Sequence, residues 1–316
     1  MEVLPHIALT PFRTQNRNDE IFIPESDLQN YTFKNESDTD FSLPQNIKWA
    51  EAISDKWKNI SQNGGFNASA VVGGEDVLSE EKIEVKDKSQ YHEKVIVGTY
   101  STASQSDLQK AVLIAKADVD GWGKLSTTEV QKVLMDAAHE FKKSRADLIG
   151  VAAAEVGKVF SETDVEVSEA IDFLNFYPYS AKKLKALDGV TAVGKGVGLV
   201  VSPWNFPIAI PAGGIAAALA AGNTVIIKPS SDAVLCAYRL CQCFWDAGVS
   251  KNTLQFVPCS GEAAGEHLVT NSDIDFVIFT GGETTAKQII KSRPDIHLSA
   301  ETGGKRCDYC HRIGRS

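Results

Sequence analysis

Four short stretches combine residue types that can do chemistry. Asn205 sits at the tip of Ser202-Pro203-Trp204-Asn205-Phe206-Pro207, which follows an apolar run directly. The two prolines restrict their own φ and bias Ser202 and Phe206 towards extended backbone. A corner this stiff aims the Asn205 carboxamide and makes Trp204 a wall. A fixed NH2 donor suits an oxygen on which negative charge develops, although an ordinary turn asparagine fits the same pattern. Lys228 ends Val225-Ile226-Ile227-Lys228 and is held by Pro229, with Ser231 three positions on. An ammonium there can donate to sugar hydroxyls or a phosphate; a solvated strand-end lysine is the plainer alternative. Gly281 and Gly282 follow a strand-like run and open a helical pattern. Bare amides at a helix start attract a phosphate, and the same pair also suits a simple turn. Glu301 precedes Thr302-Gly303-Gly304, where a carboxylate can act as a general base towards water or stand as an exposed acid.

The elements that must position these groups alternate from Gly189 onward. Apolar strands are predicted at 196–202, 224–230, 253–259, 275–282 and 296–304, with helices at 209–223, 232–248, 261–269 and 283–292. Continuous apolar strands separated by helices predict an α/β fold: a doubly wound, mainly parallel Rossmann-like sheet covered on both faces. Ligands of such sheets bind beyond the carboxyl ends of the strands. Ser202 to Asn205, Lys228 to Ser231, Gly261, Thr280 to Gly282 and Glu301 to Gly304 all collect there. Gly194, Gly196 and Gly198 precede their strand, so they read as a tight turn into it and not as a phosphate loop.

An N-terminal helical layer is predicted ahead of this sheet, at 145–158, at 164–184 and in two helices opened by capping boxes at Ser106–Gln109 and Ser126–Glu129. In the second of these, Val130, Val133, Leu134, Ala137, Ala138 and Phe141 share one face. Residues 82–104 alternate like a hairpin. Residues 1–65 are polar and acidic and read as an extension or linker, with a helix at 49–57.

The 316 residues are 43% hydrophobic, carry a formal net charge of −9 and include six cysteines. No basic stripe favours nucleic acid, and no run of about 18 apolar residues favours a bilayer. The start lacks the pattern of a secretory signal, which predicts a cytoplasmic protein. Cys236, Cys241 and Cys243 fall in a helical pattern and, with Cys259, read as small buried hydrophobes in a reducing cytosol. No metal site is predicted.

Together, "SPWNFP" at 202–207, "AAALAAGNTVIIKPS" at 216–230, "FTGG" at 279–282 and "ETGGK" at 301–305 resemble the aldehyde dehydrogenase superfamily in order and spacing. The resemblance covers about residues 66–305, taken as the NAD-binding domain. "AETGGK" and "EVSEAIDFLNFY" at 166–177 look like the glutamate-semialdehyde (1-pyrroline-5-carboxylate) dehydrogenases, and the segment from Tyr31 to Glu51 looks like proteins of the proline-utilisation type. The resemblance implies NAD-dependent oxidation of an aldehyde to an acid, most specifically L-glutamate γ-semialdehyde to L-glutamate. It implies that a cysteine thiolate attacks the aldehyde, Asn205 holds the oxyanion and Glu301 activates water. Ser202 and Trp204 would lie beside the cofactor, Lys228 and Ser231 would hold its ribose, and Gly281 and Gly282 its pyrophosphate. Gly261 and Gly265 would lie near its adenine. Serine at 231, where many relatives have glutamate, leaves NADP open beside NAD. Full-length relatives oligomerise.

The family's nucleophilic cysteine lies a few dozen residues beyond the general base, and none of the six cysteines here has the matching setting. The expectation is a truncated form with little dehydrogenase activity, lacking the later oligomerisation strands. Cys307-Asp-Tyr-Cys310-His311 fits a haem c attachment pattern without an export signal. Residues 306–316 read better as an aberrant, out-of-frame tail, because shifted codons can encode an apolar strand. A non-catalytic nucleotide-binding remnant or interaction module is the alternative function.

Overall fold

The computed structural model describes residues 14–19, 31–77, 82–90 and 95–303. The tail residues Cys307, Cys310 and His311 and the end of the ETGGK motif lie outside them. Helix α1 (Pro44–Gln62) leads into strands β1 (Ala70–Val72), β2 (Glu75–Val77), β3 (Ile83–Lys86) and β4 (Ile96–Tyr100). Four helices follow: α2 (Gln105–Ala117), α3 (Thr127–Lys143), α4 (Arg145–Val156) and α5 (Phe160–Lys185). The alternating half runs β5 (Val197–Val201), α6 (Ala209–Ala220), β6 (Thr224–Lys228), α7 (Val234–Asp246), β7 (Leu254–Phe256), α8 (Gly261–Ala264), β8 (Phe276–Gly281), α9 (Glu283–Ser292) and β9 (His297–Thr302).

The main sheet has the order β2-β1-β7-β6-β5-β8-β9. Its five strands from β7 to β9 are parallel, and the β1–β2 pair is antiparallel at the edge. The chain winds from β5 outward through β6 to β7, then crosses back to lay β8 on the other side of β5. The order therefore reverses between β5 and β8, where doubly wound sheets open a crevice. β3 and β4 form the separate hairpin the alternation predicts.

Successive strand side chains point to opposite faces, and both faces are buried. Val200, Val225, Ile227, Leu254 and Phe256 join the core formed with α3 to α7. Val197, Leu199, Ile226, Val277 and Phe279 join α2, Ala264, Leu268 and α9 on the other side. The end of α6 shows how tightly the crossovers are made. Gly222 takes φ 90°, its amide donates to Leu219 and that of Asn223 to Ala218, a Schellman closure. Pro211 falls in the first turn of the same helix, where a missing amide costs little.

Two local details differ from the sequence reading. The box that opens α2 is Ser104 with Asp107, two residues earlier than Ser106 and Gln109: the Asp107 carboxylate reaches the Ser104 amide at 2.8 Å. The shorter aspartate closes the box, so a serine further on is left inside the helix. The box at Ser126 and Glu129 forms as read. The helix read at 49–57 extends over 44–62, and its Ile53 and Trp57 are buried in the common core. A Cβ on Gly150 of α4 would meet the Trp57 ring at 2.0 Å, so that glycine lets the indole in. The polar segment before α1 is fastened to the helical layer: Asp164 accepts from the amide and hydroxyl of Thr39 at 2.6 and 2.5 Å and pairs with Arg145 at 2.8 Å.

The four described cysteines are free and buried. Among the described residues, no helix is long and apolar enough to cross a membrane.

Candidate active site

Parallel register brings the strand ends level. Val201 of β5 lies opposite Lys228 of β6 and Phe279 of β8, and Thr280 lies opposite Glu301 of β9. Each strand's next residues must then emerge along one rim. That rim borders a cleft of about 910 Å3 lined by Ser202, Trp204, Asn205, Lys228, Gly261, Gly265, Gly281, Gly282 and Glu301. Nine of the ten site residues expected from the sequence are therefore together. The tenth, Ser231, is exposed beyond the lining, and its neighbour Ser230 lines the cleft instead.

The corner after β5 leaves Trp204 and Phe206 exposed at 52% and 42% while Pro207 and Ile208 are buried. Its buried half anchors it and its outer half presents Asn205. The backbone of Ser202 still bonds to the sheet, donating to the Lys228 carbonyl at 3.4 Å.

Lys228 is 8% exposed. Burial pushes its ammonium pKa down, and the nearby Cys259 opposes that shift. Among the described residues no carboxylate or other hydrogen-bond partner meets its ammonium. A buried cation costs free energy unless it is paired, so this one is poised to gain from an anionic or hydroxylated ligand.

The two glycines where β8 ends, Gly281 as its last residue and Gly282 just beyond, serve different ends. A Cβ on Gly281 would strike the Phe279 ring at 2.7 Å, whereas one on Gly282 would meet no atom within 4 Å. Gly282 is the N-cap of α9 and offers no side-chain cap, so first-turn amides stay available to a ligand. A Cβ on Gly261 or Gly265 would likewise meet no atom within 4 Å. The fold would tolerate side chains at all three, and each would project into space beside the cleft. Glu301 is exposed on β9 at the opposite border.

Sequence reasoning missed the acidic groups that hold these loops from behind. Glu155 of α4 is fully buried and accepts from the amides of Leu235 and Cys236 at 2.9 and 2.7 Å, at the start of α7. It thereby closes the loop that begins at Lys228. Burial pushes its carboxyl up to about 7 against the opposing pull of these amides. The fold thus favours the protonated form, and this group's contribution is full below its unfolded pKa and lost as pH rises. Relative to Glu155→Gln, wild-type stability should fall by about 3 kcal/mol between pH 4.5 and about 7. Urea denaturation across that range reads the difference; a difference that does not change with pH contradicts it. No local pattern marks Glu155, because its partners lie some eighty residues away.

Comparison with known proteins adds the following. The aldehyde dehydrogenase family profile matches residues 77–307. The chain is 32% identical over 293 residues to 1-pyrroline-5-carboxylate dehydrogenase of Anoxybacillus flavithermus, covering 86% of this chain and 56% of that protein. It superposes on proline utilization A from Bdellovibrio bacteriovorus with a TM-score of 0.80 and 26% identity, over 89% of this chain and 30% of that one. It also matches 1-pyrroline-5-carboxylate dehydrogenase from Thermus with bound NAD, with a TM-score of 0.79 and 28% identity, over 87% and 56% of the two chains. The chain spans about half the length of the curated relatives it matches.

Proposed function

Because the chain belongs to the aldehyde dehydrogenase family, we propose that its cleft binds NAD+ and serves oxidation of L-glutamate γ-semialdehyde to L-glutamate in proline degradation. The relatives named 1-pyrroline-5-carboxylate dehydrogenase support the substrate, and the NAD-bound Thermus structure supports NAD+ as the cofactor. The carrying observation is Lys228, buried and without a hydrogen-bond partner among the described residues, beside glycines whose missing side chains leave the cleft open.

These residues fit a dinucleotide. Lys228 would donate to the adenosine ribose, with Ser230 beside it and Ser231 further out. The Gly282 end of α9 would meet the pyrophosphate, and Gly261 and Gly265 would leave room for the adenine side. Trp204 would wall the nicotinamide side. When bound, NAD+ supplies the hydride acceptor. In a protein that joins these residues to a nucleophilic cysteine, Asn205 would donate from its carboxamide to the aldehyde oxygen as the thiolate adds to the carbonyl carbon and charge builds there, and Glu301 would take a proton from the water that then hydrolyses the thioester. Free, buried cysteines support placing the protein in a reducing cytoplasm.

Calorimetric titration tests the grip. The 316-residue chain should bind NAD+, and Lys228→Met should weaken binding about 10–100-fold, the value of losing a charge-assisted hydrogen-bond donor. Equal affinity in the two proteins would contradict the assignment.

A further inference from the structure

Lys158 follows Gly157, the left-handed residue that ends α4 at φ 74°. Its ammonium forms a short ion pair with Glu166 Oε1, donates to the Asn205 carbonyl at 2.9 Å, and lies 3.9 Å from the centre of the Phe206 ring. Glu166, on α5, is 1% exposed and uses its second oxygen elsewhere. Oε2 accepts from the amides of Ile208 and Ala209 at 3.0 and 3.1 Å, where α6 begins. One ion pair therefore grips both ends of the segment from Asn205 to Ala209.

The corner needs such a brace. Trp204, Asn205 and Phe206 line the 910 Å3 cleft on one side and a second cleft of about 690 Å3 on the other, the latter shared with Lys158, Ser161 and Glu162. The corner is a wall with space on both sides. Proline stiffness limits its internal dihedrals but does not set its tilt against the sheet. Lys158 acts on the Asn205 carbonyl, whose carbon is bonded to the Cα that carries the carboxamide side chain, and its charge strengthens that hydrogen bond. Glu166 satisfies amides that a helix start leaves free. Removing either partner leaves the other charge uncompensated in a confined site.

We propose that Lys158 and Glu166 are a positioning pair that sets the direction of the Asn205 carboxamide, a role that rests on reading Asn205 as the donor to the aldehyde oxygen. Neither residue lines the 910 Å3 cleft, so the pair acts through the corner alone.

The test uses the 316-residue chain with isotope-labelled asparagine, the Asn205 side-chain amide signals being identified by their loss in Asn205→Asp. Lys158→Met and Glu166→Gln should each shift and broaden those signals while the other asparagines hold, and the lost ion pair should lower the melting temperature without unfolding the chain. Lys158→Arg should restore them, since a guanidinium can reach the same acceptors. In parallel, Lys158→Met should weaken NAD+ about tenfold and leave AMP, which needs only the Lys228 and glycine side, unchanged. Unmoved Asn205 signals in both variants would overturn the proposal. So would unfolding of the chain, with a loss across all asparagines, in both. A wild-type chain that fails to bind NAD+ while Asn205 still responds to Lys158→Met would overturn the dinucleotide reading and leave the brace standing.

Discussion

Replacing Asn205 by alanine is expected to slow aldehyde oxidation about 10²–10³-fold, the usual cost of removing one preorganised donor to a developing oxyanion. The expectation rests on geometry. Asn205 is at the exposed crest of a corner whose base, Pro207 and Ile208, is buried, and its backbone carbonyl is held by Lys158. A donor fixed before charge appears need not reorganise as it forms. The readout is NADH formation with L-glutamate γ-semialdehyde, in a protein joining these residues to a nucleophilic cysteine. Turnover should fall while NAD+ affinity changes by less than about threefold, because a donor to the transition state lowers kcat and kcat/KM together. Unchanged turnover would remove Asn205 from the chemistry.

Gly265→Leu should weaken NAD+ binding about a hundredfold and leave the free protein slightly more stable. Gly265 has ordinary helical dihedrals, φ −61° and ψ −48°, and no atom lies within 4 Å of where a Cβ would stand. Nothing in the fold requires glycine there, and leucine is favoured over glycine in a helix by roughly 1 kcal/mol. If the space is for a nucleotide, a leucine occupies it. Opposite signs for stability and binding separate this from general damage, and thermal unfolding with a parallel titration reads both. A variant that binds NAD+ as well as wild type would show that the space serves something else.

The alternating half was legible because its signal is local. Apolar runs such as Val225-Ile226-Ile227 are strands buried on both faces, and Gly222-Asn223 closes α6 as that pair should. Their order along the chain also sufficed to place Lys228, Gly282 and Glu301 on one rim, since strand ends in a parallel sheet share a level by register. Ser231 shows where that reasoning stops. Once the strand ends, the loop turns outward, and spacing along the sequence no longer measures distance from the cleft. The Ser104–Asp107 box was hidden by two serines in succession, either able to cap until the tertiary position of α2 chooses between them. Glu155, Lys158 and Glu166 were invisible for a deeper reason. Each holds backbone groups from another element across a long separation, and backbone partners leave no mark in side-chain pattern.

The most direct measurement is a crystal structure of the chain grown with NAD+. The account predicts one dinucleotide along the rim, with ribose hydroxyls at Lys228, pyrophosphate over the Gly282 end of α9 and the nicotinamide beside Trp204 and Asn205. A dinucleotide bound elsewhere, or a rim left without one at saturating NAD+, would contradict it.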